Sequence, residues 1–265
     1  MGRFNEAAYE ATRKRKFNLV SRFGYIISCE LLEPQVPEDK IENSRRKLAI
    51  LCHGFSHAKY CSLIYAEIFL KLGYSVIIYD HRNHGLSGKA YTSMGYFEKY
   101  DLTKVVDWCY ESFGTDCRIV THGESMGAAT VILQLEIDDR VTGVIADCSY
   151  SDLKQLLRYQ LAKYYHLPHF LLPIESLLTF LRAGFWYREV SPIQVACKSD
   201  KPIMFIHGKK DGYVPTYMSK QMYASKKQNK AIYLVAGAKH AQSCLINRSG
   251  YAMRVEEFLK TYVDK

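Results

Sequence analysis

The chain contains no apolar run of the roughly 18 residues that a membrane-spanning helix needs. Its greasiest stretch, Leu167 to Leu181, is broken by Pro168, His169, Pro173 and Glu175. No membrane span is therefore expected. The eight cysteines form no CxxC pair and show no Cys/His ligand spacing, so the usual signals of a zinc site or a disulfide framework are missing. Reduced, mostly buried thiols are the expected state, and Cys52 and Cys148 read as small core residues. The first residues, Met1 to Glu6, lack an apolar signal core and place Glu6 where a myristoylation signal requires Ser or Thr. A cytoplasmic protein is the expectation. The net charge of +9 comes from dispersed basic residues, apart from Arg13-Lys14-Arg15-Lys16 and the Lys226-Lys227 region, and no nucleic-acid motif accompanies them. This predicts no nucleic-acid partner and a mild attraction for anionic substrates or surfaces. His53, His57 and His84 are not joined by carboxylate or cysteine spacing, so neither a metal nor a cofactor is expected. Nothing in the sequence speaks to oligomeric state.

What is present is a large apolar content, 48% of 265 residues, enough for one α/β domain spanning 1–265 with an insertion. Residues 4–16 read as a basic amphipathic helix, with Phe4, Ala7, Ala8 and Ala11 on one side. Asn18 to Leu32 reads as an antiparallel hairpin around Phe23-Gly24, and Glu33 to Lys47, charged and carrying Pro34 and Pro37, as a surface loop. From Leu48 onward short apolar strands alternate with helical stretches, the pattern of a parallel sheet covered on both faces. The predicted strands are Leu48 to Cys52, Ser75 to Tyr79, Arg118 to Thr121, Thr142 to Ala146, Pro202 to Ile206 and Ala231 to Val235. Between Tyr150 and Val195 the alternation lapses into a Leu-, Tyr- and Phe-rich segment, read as a short helical cap at about 150–195. Its aromatics either pack on the domain or line a substrate pocket. Gly250 to Val263 reads as a final helix.

The chemistry converges on Gly123-Glu124-Ser125-Met126-Gly127. A β-favouring run precedes it and an Ala-rich helical run follows it, the strand, sharp turn and helix that expose a nucleophilic serine. A serine hydroxyl needs a base to take its proton, and that base needs an acid to hold its tautomer. Candidates follow at strand ends: Asp211 in His207-Gly208-Lys209-Lys210-Asp211 and His240 after the last strand. Asp147, at the end of the preceding strand, is the alternative acid. An oxyanion needs two donors, for which the backbone N–H groups of Met126 and of Phe55 in His53-Gly54-Phe55 are the candidates. His122 and His207 read as hydrogen-bonded structural residues, and His84 with Asp80 and Arg82 as a support for the loop after the second parallel strand.

These motifs, with Asp80-x-Arg82-x-His84-Gly85-x-Ser87 and Val214-Pro215, resemble the serine hydrolases of the α/β-hydrolase superfamily, in particular bacterial carboxylesterases of the cinnamoyl-esterase-like branch. The resemblance covers roughly residues 17–263. It implies an α/β-hydrolase fold: a mostly parallel central sheet with an N-terminal antiparallel hairpin, helices on both faces and a short helical cap. It further implies a serine hydrolase that cleaves small or medium carboxylic esters, acyl or aromatic, through an acyl-enzyme, with Ser125, Asp211 and His240 as the catalytic set. A thioesterase or acyltransferase using the same residues is the alternative, and a non-catalytic binding protein is a third reading. A serine at the turn argues against a dehalogenase, whose nucleophile is an aspartate.

Overall fold

A computed structural model describes residues 6–34 and 46–264. The described strands form one eight-stranded sheet in the order β1 (Lys14–Val20), β2 (Ile26–Leu32), β4 (Ser75–Tyr79), β3 (Lys47–Cys52), β5 (Arg118–Glu124), β6 (Gly143–Asp147), β7 (Ile203–Gly208) and β8 (Lys230–Val235). β1 and β2 form the expected hairpin, β2 joins β4 antiparallel, and every later pairing is parallel. The sequence-predicted sheet strands are all present, with ends shifted by a few residues. Of the predicted surface loop, residues 35–45 lie outside the described residues, as does Phe4.

Side chains alternate faithfully between the two sheet faces, as the strand period of two requires. Leu48, Ile50 and Cys52 face α3 (Glu98–Phe113) and α4 (Met126–Gln134), whereas Ala49 and Leu51 face α2 (Leu63–Lys71) and the final helix α10 (Arg248–Tyr262). Both faces are thus sealed, which explains why these strands read as unbroken apolar runs. The carboxyl ends of the parallel strands finish in register: Cys52 pairs with Gly123, Glu124 with Asp147, and Gly208 with Val235. The loops that carry the candidate chemistry therefore leave the sheet along one edge.

The N-terminus departs from expectation. The helix α1 is confined to Glu6–Ala11, and Lys14, Arg15 and Lys16 belong to β1 instead of a helix end. Strand pairing with β2 overrides the local helical pattern, and the ring of Phe17 stacks on Trp108 with centroids 4.0 Å apart.

Two glycines set the spacing at the turn after β5. A Cβ on Gly123 would lie 2.2 Å from the carbonyl carbon and oxygen of Gly127, and one on Gly127 would lie 2.2 Å from the Cys52 carbonyl oxygen. The first turn of α4 is thereby packed directly against the end of β3, backbone on backbone. Gly127→Ala is expected to destabilise the fold by about 3 kcal/mol or more, because no flexible side chain can yield. Gly24→Ala, at φ +88 but with nothing within 4 Å of the added atom, is expected to cost only about 1–2 kcal/mol. Thermal denaturation of both variants checks the steric account, which equal melting temperatures would contradict.

Candidate active site

Ser125 stands alone between β5 and α4 with φ 55 and ψ −113, a conformation that costs a non-glycine residue about 1–3 kcal/mol. Two backbone bonds hold it there: its N–H donates to the Asp147 carbonyl (2.8 Å), and its carbonyl accepts from Ala129 N–H (3.1 Å). The hydroxyl consequently points off the sheet edge.

His240 Nε2 lies 2.9 Å from Ser125 Oγ, and its Nδ1 lies 2.7 Å from Asp211 Oδ2. An ionised carboxylate can only accept, so Nδ1 carries the proton and Nε2 is left free to accept from the serine. Asp211 is held ionised. Burial opposes the charge, but hydrogen bonds from His207 and His240 outweigh it and lower the carboxyl to about 2. Its other oxygen accepts from the N–H groups of Tyr213 and Val214, each at 2.9 Å. His207 is buried beside it, with Nε2 2.9 Å from the Val214 carbonyl and 3.2 Å from Asp211 Oδ2, and Nδ1 2.7 Å from Ser219 Oγ. Since a carbonyl accepts only, Nε2 is the protonated nitrogen. This ring therefore orients the acid, in agreement with its expected structural role.

The loop after β3 faces Ser125: a Cβ built on Gly54 would lie 3.5 Å from Ser125 Cβ. His53 Nε2 accepts from His81 N–H (3.0 Å), which leaves the proton on Nδ1 to donate to the Gly54 carbonyl (2.8 Å). Burial keeps this imidazole neutral, lowering it to about 4. The Gly54 carbonyl also accepts from His57 N–H at 3.2 Å. In a trans peptide the N–H points opposite the carbonyl, so pinning the Gly54 oxygen aims the Phe55 N–H away from His53. Met126 opens α4, and its N–H precedes the helix's own hydrogen-bond ladder. Behind this loop, buried Lys59 Nζ meets Asp80 at 2.6 Å, and His84 Nε2 accepts from Ser56 N–H at 3.3 Å. Asp80 and His84 thus anchor the loops on either side, as expected, whereas Arg82 reaches elsewhere, to Asp101 and the Phe97 carbonyl.

Sequence reasoning missed Glu124. Its side chain turns under the Gly54 loop, where Tyr65 OH donates to Oε2 at 2.5 Å and His57 Nδ1 lies 3.2 Å from Oε1. Burial works against its ionisation, but these contacts outweigh it and hold the carboxyl below its ordinary range. No spacing rule joins residues 57, 65 and 124, so nothing in the sequence signalled this cluster.

A family model described as "Serine aminopeptidase, S33" matches residues 43–173. The YqkD protein of Bacillus subtilis (strain 168) is 38% identical over 260 residues, covering 97% of this chain and 83% of its own length. The chain belongs to the serine hydrolases of the α/β-hydrolase superfamily. A protein of Saccharomyces cerevisiae described as an uncharacterized membrane protein, YNL320W, is 26% identical to this hydrolase over 237 residues, covering 88% of this chain and 78% of its own. The Pyrococcus furiosus esterase Pf2001 superposes on the hydrolase with a TM-score of 0.77 at 22% identity, over 99% of this chain and 97% of that one. At that identity the likeness is one of fold.

Within the hydrolase, the two candidate acids part company. Asp147 makes no bond to His240: its Oδ1 accepts from Ser243 Oγ (3.1 Å), and Oδ2 is buried without a hydrogen-bond partner. Cys148 Sγ lies within 4.8 Å of the ligand atoms of Asp211 and His240, but burial raises the thiol well above its usual range. Complete burial, reinforced by the Glu124 charge, pushes Asp147 up to about 7. A carboxyl raised in the folded state favours folding fully below its unfolded value near 4 and loses that contribution as pH rises through about 7. Asp147→Asn, which stays neutral, is therefore expected to gain up to about 4 kcal/mol over the parent at pH 8 and little at pH 4. Melting curves at the two pH values measure the difference, and a gain independent of pH would contradict the assignment.

Proposed function

We propose that this hydrolase cleaves small or medium carboxylic esters, acyl or aromatic, through an acyl-enzyme formed on Ser125. The observation that carries the reading is the single imidazole of His240 in hydrogen-bond contact with both Ser125 Oγ and Asp211. In the proposed sequence His240 Nε2 takes the Ser125 proton as Oγ attacks the ester carbonyl. The Asp211 carboxylate steadies the imidazolium. The N–H groups of Phe55 and Met126 receive the oxyanion. Collapse of the tetrahedral intermediate expels the alcohol, which takes the proton from His240, and a water activated by the same imidazole then releases the acid.

The esterase description of the Pyrococcus relative supports oxyesters. The family description raises a second reading, aminopeptidase action, in which a carboxylate would receive a substrate ammonium. Glu124 is the carboxylate nearest in sequence to Ser125, and both its oxygens already face Tyr65 and His57, which favours the ester reading. The segment between β6 and β7 would act as the cap of a single domain. Of its aromatics, Phe185 and Tyr187 pack into the core, and Tyr159 and Tyr164 donate their hydroxyls to the Gly212 carbonyl. That carbonyl belongs to the residue after Asp211.

Purified protein is expected to hydrolyse short p-nitrophenyl esters and to be labelled by a fluorophosphonate, with aminoacyl p-nitroanilides much poorer substrates. Ser125→Ala should lose labelling altogether and lower ester turnover by about 10⁴-fold or more. Retained turnover in that variant would remove the serine mechanism, and faster cleavage of the anilides would replace the ester reading by the peptidase one.

A further inference from the structure

The helix α6 (Leu171–Ala183) is inside out. Its inward stripe is short and partly polar: Leu172 is buried, Ser176 Oγ accepts from Tyr187 N–H (3.2 Å), and the Thr179 hydroxyl donates to Tyr187 OH (3.0 Å). Residues three and four apart share a helix face, and the opposite face carries Phe170, Ile174, Leu177, Leu178 and Leu181. These are 68%, 53%, 45%, 54% and 69% exposed. An ordinary surface helix shows the reverse arrangement, apolar inward and polar outward. The exposed stripe runs roughly 16 Å along the helix, and Tyr165 and Leu167, just before it in the chain, are exposed as well. A patch this long and this apolar marks a docking surface.

Charge selects the occupant. From residue 160 to 184 the only acidic residue is Glu175, against Lys163, Arg182, His166 and His169, and the whole chain carries +9. A second copy, itself net positive and with the same excess of basic residues around α6, would meet like charge at this face. An anionic bilayer surface attracts the chain and also offers hydrocarbon to the leucines and Phe170. We propose that α6 is an interfacial anchor, which lies in the headgroup region of an anionic membrane with Phe170, Ile174, Leu178 and Leu181 inserted and Arg182 on lipid phosphates. The segment is tied to the reaction edge, because Lys163 Nζ (3.1 Å) and Tyr164 OH (2.5 Å) donate to the Gly212 carbonyl. Docking therefore brings the Asp211 loop to the membrane surface. The proposal reads binding and does not depend on the ester substrate.

Sedimentation of the full chain with vesicles of phosphatidylcholine, alone or with about one-third phosphatidylserine, tests it. The parent protein is expected to pellet with the anionic vesicles, less so in high salt, and only weakly with the neutral ones. The double variant Leu178→Ser, Leu181→Ser should partition at least about tenfold less, with an unchanged melting temperature because both side chains are exposed. A parent that stays in the supernatant, or a double variant that pellets equally, overturns the anchor. So does light scattering that shows a parent dimer which the double variant dissolves, since the face would then belong to a second copy.

Discussion

Everything at the reaction edge depends on a backbone contact that leaves no room for a side chain. Gly127 lies against the carbonyls of Cys52 and His53, and Gly123 lies against Gly127 itself. The contact brings the start of α4 onto the end of β3, so that the loop after β3 and the first N–H of the helix face the same point in space. Between the two glycines Ser125 adopts φ 55 and ψ −113. The strain is local, and the sheet bears it through Ser125 N–H bonded to the Asp147 carbonyl. With Ser125 bonded on both sides through its backbone, the 2.9 Å separation of its hydroxyl from His240 Nε2 depends on where the loop after β8 puts that ring.

Buried histidines do much of the positioning around that point. His53 orients the Gly54 peptide and His207 orients Asp211. In each case a buried ring with one nitrogen committed to a carbonyl donates from a known position. Both rings are thereby fixed donors, while His240, half-buried, lies between the Ser125 hydroxyl and an ionised carboxylate and contacts both. The same low-polarity surroundings act oppositely on Asp147 and Asp211. Asp211 receives four donors and ionises easily; Asp147 receives one and does not. Hydrogen-bond supply, more than depth of burial, separates two carboxylates that a strand-end argument treats as equivalent.

The parts of the fold that were legible in the sequence are those that local rules determine. The parallel strands announced themselves as unbroken apolar runs because both sheet faces are covered, and the Ser125 turn did so because its glycines are sterically required. Asp211 and His240 were legible because loops leaving parallel strands must gather at one edge. The β1 residues Lys14 to Lys16 were misread because their state is decided by pairing with β2, a partner that the helical pattern of residues 6–11 does not disclose. Glu124, Tyr65 and His57 were illegible for a related reason: the three meet only after β3, α2 and β5 have been assembled. No periodicity links residues brought together by a folded sheet edge.

The segment Leu167 to Leu181 shows the limit of apolar content as a guide to burial. Its leucines and phenylalanines would ordinarily be assigned to a core, yet the positions of α6 that pack inward include Leu172, Ala183 and the hydroxyls of Ser176 and Thr179. Tyr187 decides this outcome. This buried residue sits beneath α6 and presents its ring hydroxyl and its backbone N–H, and polar groups removed from water require partners. Ser176 and Thr179 supply them, which fixes the rotation of the helix about its axis. Once that rotation is set, Phe170, Ile174, Leu178 and Leu181 have no direction left but outward. The apolar face of α6 is thus imposed by satisfaction of the polar groups beneath it, and a neighbour outside the chain is what it is shaped to meet.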